Sequence, residues 1–154
     1  MEPSSQGAVT GHCLCGDVRF AYSGAPIKIL HCHCESCRRH VSGPIATFVC
    51  VDRATMRFSG AAPQVYVSSP GVRRMFCGRC GSPIAYESDR NPQQIDLFLG
   101  ALDDPTAIEP TYHVFVEERL PWFDTADALP RYARSKSGHT PVSYGPLSRA
   151  PAAQ

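Results

Sequence analysis

A chain of 154 residues with 43% hydrophobic content is long enough to close a core of its own and too apolar for disorder throughout. A formal charge of +1 gives no large field to attract a polyanion, and no run of about 18 apolar residues offers a membrane span. Fourteen prolines and twelve glycines argue against long helices and for many turns.

Eight cysteines are compatible with a disulfide scaffold. The N-terminal residues Met1 to Gly7, however, show neither the basic nor the apolar segment of an export signal. The expected compartment is therefore the reducing cytoplasm, where clustered thiols mean metal or redox chemistry.

Residues 1–10 read as a flexible N-terminus and 11–132 as a single zinc-binding β domain. After Cys13-Leu-Cys15-Gly16, alternation begins. Val18, Phe20 and Tyr22 take one face of a half-buried strand, while Asp17, Arg19 and Ala21 take the other. Ser23 to Pro26 is a turn, and Ile27 to His33 is a second strand. It runs into His31-Cys32-His33-Cys34-Glu35-Ser36-Cys37-Arg38-Arg39. Ile45 to Val51 is an apolar run of strand length, and Asp52 caps one helical turn. Short strands follow at Arg57 to Ser59 and Gln64 to Ser68, then a Pro70-Gly71 turn, then a strand at Val72 to Phe76. That strand leads to the knuckle Cys77-Gly78-Arg79-Cys80-Gly81. Pro83 to Ser88, Ile95 to Leu99 and Thr111 to Glu117 complete the strands, with a turn at Leu102 to Pro105. Residues 133–154 carry Arg134, Lys136, His139 and Arg149 but no acid, and read as a loosely ordered tail. So few charges, without interleaved aromatics, make only a weak nucleic-acid signal, and a nucleic-acid partner is not expected. The fold class is mainly β, with zinc-supported coiled sheets and at most short helical turns.

Seven of the cysteines sort into two sites. Cys13-x-Cys15 and Cys77-x2-Cys80 are two ligand pairs, each followed by glycine. Together they make a closed four-thiolate shell of the kind that holds structural zinc. Cys32, Cys34 and Cys37 remain as a three-thiolate set with an open fourth position, the usual arrangement of catalytic zinc. The expected metal content is two zinc ions per chain. Cys50 has two readings, a fourth ligand for the second site or a small buried hydrophobe; its apolar run favours the second. Arg38 and Arg39 either receive a substrate carboxylate or are solvated turn residues. His31 and His33 should face away from the thiols of their strand. His113 is either a satisfied core histidine or a pocket-lining proton donor, and with Arg38 it is a candidate substrate contact. Thiol redox chemistry at Cys77-x2-Cys80 is a weaker alternative, since no βαβ pattern surrounds it.

In these motifs the chain resembles the glutathione-dependent formaldehyde-activating, or centromere-protein-V-like, family. The resemblance rests on Gly11-x-Cys13-x-Cys15-Gly16, Cys32-His33-Cys34-x2-Cys37-Arg38, Ser42-Gly43 and Phe76-Cys77-x2-Cys80-Gly81-Ser82-Pro83. It continues through Leu102-Asp103-Asp104-Pro105 and His113 to Glu117, to Leu120-Pro121-Trp122. It implies a β-tent fold, structural zinc on Cys13, Cys15, Cys77 and Cys80, and a second, open zinc on Cys32, Cys34 and Cys37. It also implies carbon–sulfur lyase-type chemistry joining glutathione to formaldehyde or a related small aldehyde. The competing class is a non-catalytic binding module in which both zinc ions are structural.

Overall fold

The computed structural model describes residues 7–143. Ten strands lie there in two sheets, with one helix and a few 3-10 turns, so the mainly β expectation holds. The parts of the expected N-terminus and tail at 1–6 and 144–154 lie outside the described residues. Among the described residues no helix is long and apolar enough to cross a membrane.

The chain forms two compact units, one from residues up to 29 with 48–109, the other from 30–47 with the residues after 109. In the first unit, the alternation seen in the sequence makes a three-stranded antiparallel sheet. Strand β1 (Val9–His12) and strand β2 (Val18–Tyr22) pair through Gly11 opposite Phe20. Val18, Phe20 and Tyr22 are buried and Arg19 is exposed. A Cβ on Gly11 would overlap the Phe20 ring and the Ala101 carbonyl, so that crossing requires glycine.

The rest of this unit is built on a strand buried on both faces. Strand β4 (Ala46–Asp52) fulfils the apolar run, and strand β5 (Met56–Gly60) follows a turn in which the Asp52 carboxylate accepts the Ala54 N–H at 2.8 Å. β5 pairs with the far side of β2. Strands β6 (Gln64–Ser69), β7 (Val72–Phe76), β8 (Pro83–Ser88) and β9 (Gln94–Phe98) then form an antiparallel series in which β9 pairs with β4. Val49 opposite Leu97 and Val51 opposite Ile95 are almost wholly buried, as is Ile84. Each such side chain contributes about 1.5–3 kcal/mol of apolar burial.

The second unit contains a helix where the sequence reading placed none. Its β3 (Lys28–Cys32, from Leu30 onward) ends one residue before His33, and a seven-residue helix α1 (Glu35–Val41) follows. Cys34 is the residue that caps it. Strand β10 (Tyr112–Val114) runs parallel to β3, with His113 opposite His31 and Val114 opposite Cys32. β10 is shorter than the predicted Thr111 to Glu117, because Phe115 takes a left-handed conformation (φ 54°) and a 3-10 turn follows at Val116–Glu118. The downstream chain fixes this break: the Phe115 N–H donates to the Arg134 carbonyl at 3.0 Å and the Val116 N–H to that of Tyr132 at 3.1 Å.

Candidate metal centres

The first unit brings together the sulfurs of Cys13, Cys15, Cys77 and Cys80, all within 4.8 Å of one another. Cys13 Sγ to Cys15 Sγ is 3.5 Å and Cys15 Sγ to Cys77 Sγ is 3.8 Å. Sulfurs on a tetrahedral zinc, each about 2.3 Å from the metal, are about 3.8 Å apart, so the donor set fits that ion. Both knuckles are shaped by glycine in the left-handed region, Gly16 at φ 81° and Gly81 at φ 78°. The Val18 N–H points at Cys13 Sγ at 3.3 Å. Hydrogen bonds from the Ser82 hydroxyl and N–H pull the Cys80 thiol down to about 5.

The second unit brings together Cys32, Cys34 and Cys37, again within 4.8 Å. Two elements supply them: the end of β3 gives Cys32, and α1 gives Cys34 at its capping position and Cys37 in its first turn. The Cys34 sulfur accepts the Cys37 N–H at 3.3 Å, a capping bond made by a thiol where an Asp or Ser usually stands. Cys32 and Cys37 are buried and Cys34 is half-buried. Crowding by the Cys34 and Cys37 sulfurs, together with burial, pushes the Cys32 thiol well up. Three such sulfurs shed their protons together only around a cation, and their softness suits zinc better than a hard ion. None of the eight cysteines is in a disulfide.

Cys50 belongs to neither group. It is fully buried in β4, its thiol donating to Gln94 Oε1 at 3.4 Å, as the core reading expects.

Arg38 and Arg39 part company. Arg38 Nε donates to the His33 carbonyl at 3.0 Å and Nη2 to the Glu118 carbonyl at 3.1 Å, tying α1 to the turn after β10. Arg39 lies in the open, paired with Glu35 one helical turn back at 2.9 Å. Both line a cleft of about 430 Å³ along α1, with Glu35, Ser42, Gly43, Pro44, Leu120 and the exposed Trp122.

His113 is completely buried, and both its nitrogens are engaged. Nδ1 meets His33 Nε2 at 2.9 Å, and Nε2 meets the two Asp127 carboxylate oxygens at 3.1 and 3.2 Å. His31 stacks on it with ring centroids 4.8 Å apart and bonds Thr47 Oγ1 through Nδ1 at 2.8 Å. Burial lowers the pKa of all three histidines, that of His33 to about 4. Sequence reasoning missed Asp127 and the link between His33 and His113. Asp127 lies 14 residues beyond its partner in an irregular segment, where no spacing marks it.

Residues 8–118 match the sequence profile of the family described as glutathione-dependent formaldehyde-activating enzyme. An uncharacterized lyase of Schizosaccharomyces pombe is 32% identical over 91 residues, which are 58% of this chain and 66% of the yeast protein. The match thus spans just under two thirds of that relative. The crystal structure of a Rhodobacter sphaeroides protein superposes with a TM-score of 0.54 at 20% identity, over 66% of this chain and 91% of the other, a likeness of fold. With both cysteine groups inside the matched span, the chain belongs to the glutathione-dependent formaldehyde-activating family.

Proposed function

We propose that this protein is a zinc-dependent carbon–sulfur lyase-type enzyme that joins a thiol, glutathione or a close analogue, to formaldehyde or a related small aldehyde. The observation that carries the reading is the asymmetry of the two cysteine groups, four sulfurs in one and three in the other. Cys13, Cys15, Cys77 and Cys80 would hold a structural zinc with a complete protein shell. Cys32, Cys34 and Cys37 would hold a second zinc, whose charge keeps an incoming thiol deprotonated at neutral pH. Family membership and the lyase relative support the same class of chemistry.

The chain's own residues bind and orient. The three cysteines are held at the junction of a strand and a helix, Cys32 on β3 and Cys34 and Cys37 at the start of α1. Arg38 locks α1 against the turn that carries Glu118, and the Glu118 carboxylate in turn accepts the Glu35 N–H at 3.2 Å. In the cleft along the same helix, Arg39 offers a charge for a substrate carboxylate, and Leu120 and Trp122 an apolar wall for its backbone. With Arg38 occupied by two carbonyls, Arg39 is the freer cation. The reaction itself is an addition. The thiolate sulfur forms a bond to the aldehyde carbon, the C=O π pair moves to oxygen, and a proton from solvent completes the hydroxyl.

Zinc analysis of the purified chain should give two ions, and formaldehyde–glutathione exchange followed by magnetisation-transfer NMR should speed up on adding it. An Arg39→Ala variant should raise KM for glutathione with little change in kcat, because Arg39 only binds. Exchange that is unchanged by the wild-type protein, with two fully thiolate-bound cobalt ions insensitive to glutathione after metal substitution, would leave a binding module in place of the enzyme.

A further inference from the structure

The cleft along α1 carries a carboxylate that a site for anions alone would not keep. Glu35 and Arg39 both line it, and Arg39 Nε donates to Glu35 Oε1 at 2.9 Å. The two side chains are 78% (Arg39) and 58% (Glu35) exposed, so each holds the other weakly and a ligand can compete for either. Arg38, the other cation of the cleft, is engaged by the His33 and Glu118 carbonyls. A plain carboxylate brought to Arg39 would meet Glu35 at close range, like charge against like. An α-amino acid end removes that conflict. Its ammonium and carboxylate hang on one carbon, with nitrogen and oxygen about 2.7 Å apart. That separation matches the 2.9 Å between Arg39 Nε and Glu35 Oε1. The two charge pairs can therefore lie antiparallel, ammonium against Glu35 and carboxylate against Arg39.

We propose that Glu35 and Arg39 together bind the zwitterionic end of a γ-glutamyl thiol, with Glu35 selecting the free α-amine. The inference rests on the lyase reading for the place of the thiol, at the group of Cys32, Cys34 and Cys37. Glu35 directly follows Cys34, and Arg39 lies five residues beyond it, about 7.5 Å along a helix. An extended γ-glutamyl arm, from the sulfur to its α-carbon, spans about 8 Å. Leu120 and the exposed Trp122 line the same cleft and flank the methylenes of that arm. With Arg38 engaged, the cleft offers no second cation, so the glycine carboxylate of glutathione goes unread. Glu35 selects as much by rejection as by attraction, since it repels thiols that end in a carboxylate without an amine.

Formaldehyde exchange with the zinc-loaded full chain should be compared for glutathione, γ-glutamylcysteine and glutaryl-cysteinylglycine, which lacks only the amine. For the wild type the first two should share a KM within about twofold, and the third should be about tenfold worse. Glu35→Gln should raise KM for glutathione about tenfold and should not raise it for the amine-free thiol. Glu35→Asp, which keeps the charge on a shorter arm, should recover part of the preference. A general disturbance of α1 would weaken all three thiols together. That result, or a wild type indifferent to the amine, overturns the proposal. S-methylglutathione, which has no free thiol, reads the same subsite without turnover. In a nitrogen-15 NMR titration it should move the Arg39 Nε resonance, and Glu35→Gln should weaken its binding. Such binding in a protein that does not accelerate exchange refutes the lyase reading but not the subsite. Accelerated exchange without a preference for the amine refutes the subsite alone.

Discussion

At Cys50 the thiol is fully buried in β4, donates to Gln94 Oε1, and is pushed up to about 12, first by burial and then by the neighbouring Asp96 charge. A thiol so reluctant to ionise is a packing group. Cys50→Ser should keep two zinc ions per chain and lower stability by about 1–2 kcal/mol, since the hydroxyl can still reach Gln94 but is costlier to bury. Metal analysis and urea unfolding of the holoprotein measure both. At this scale the cysteine grouping was legible, because spacing and flanking glycines are written locally. The Asp127–His113–His33 chain was not. It joins residues 33, 113 and 127 through side-chain geometry that the parallel pairing of β3 and β10 helps create, and no short motif encodes such a pairing.

Helix α1 is held at its two ends by unusual residues. Cys34 caps the start with sulfur, and Ser42 closes the end at φ 52°, a conformation that favours glycine. Ser42→Gly should therefore stabilise the protein by about 0.5–1 kcal/mol, provided the relief of strain exceeds the added freedom of the unfolded chain. The urea midpoint should rise and the zinc content stay constant. The helix was not legible in the sequence because seven residues are too few to establish a 3.6-residue period, and a thiol is not a familiar cap. The Glu35–Arg39 pair at i,i+4 was the one local sign of it. Strands β2 and β4 were easier. A five-residue alternation and a seven-residue apolar run each permit only one burial pattern. Strand β6 shows the opposite tendency, with Val65, Tyr66 and Val67 all at least half exposed and no charge from Gln64 to Ser69. Replacing Tyr66 with Lys should reduce aggregation on heating, as read by light scattering, while leaving the unfolding temperature within about 2 °C.

For the whole molecule, the two cysteine groups differ most in the lengths of chain they join. Removing zinc with a strong chelator should cost amide protection first where the backbone is shaped around sulfur, at Val18 and Gly81, while Val49 and Leu97 in the apolar layer exchange more slowly. Hydrogen exchange at single-residue resolution tests this, and equal loss at all four sites would mean that the metal supports the entire fold. The same difference sets an order in time. Cys32 to Cys37 is a loop of five steps, whereas Cys15 and Cys77 are 62 residues apart, a closure costing about 2 kcal/mol more in chain entropy. A newly made chain can therefore gather its three-sulfur group while the knuckle at Cys77 is still being synthesised. When metal is scarce, the first ion to bind should then go to the short-loop group before the four-sulfur group closes. A stopped-flow cobalt titration of the unfolded chain should show that three-sulfur spectrum before the four-sulfur one.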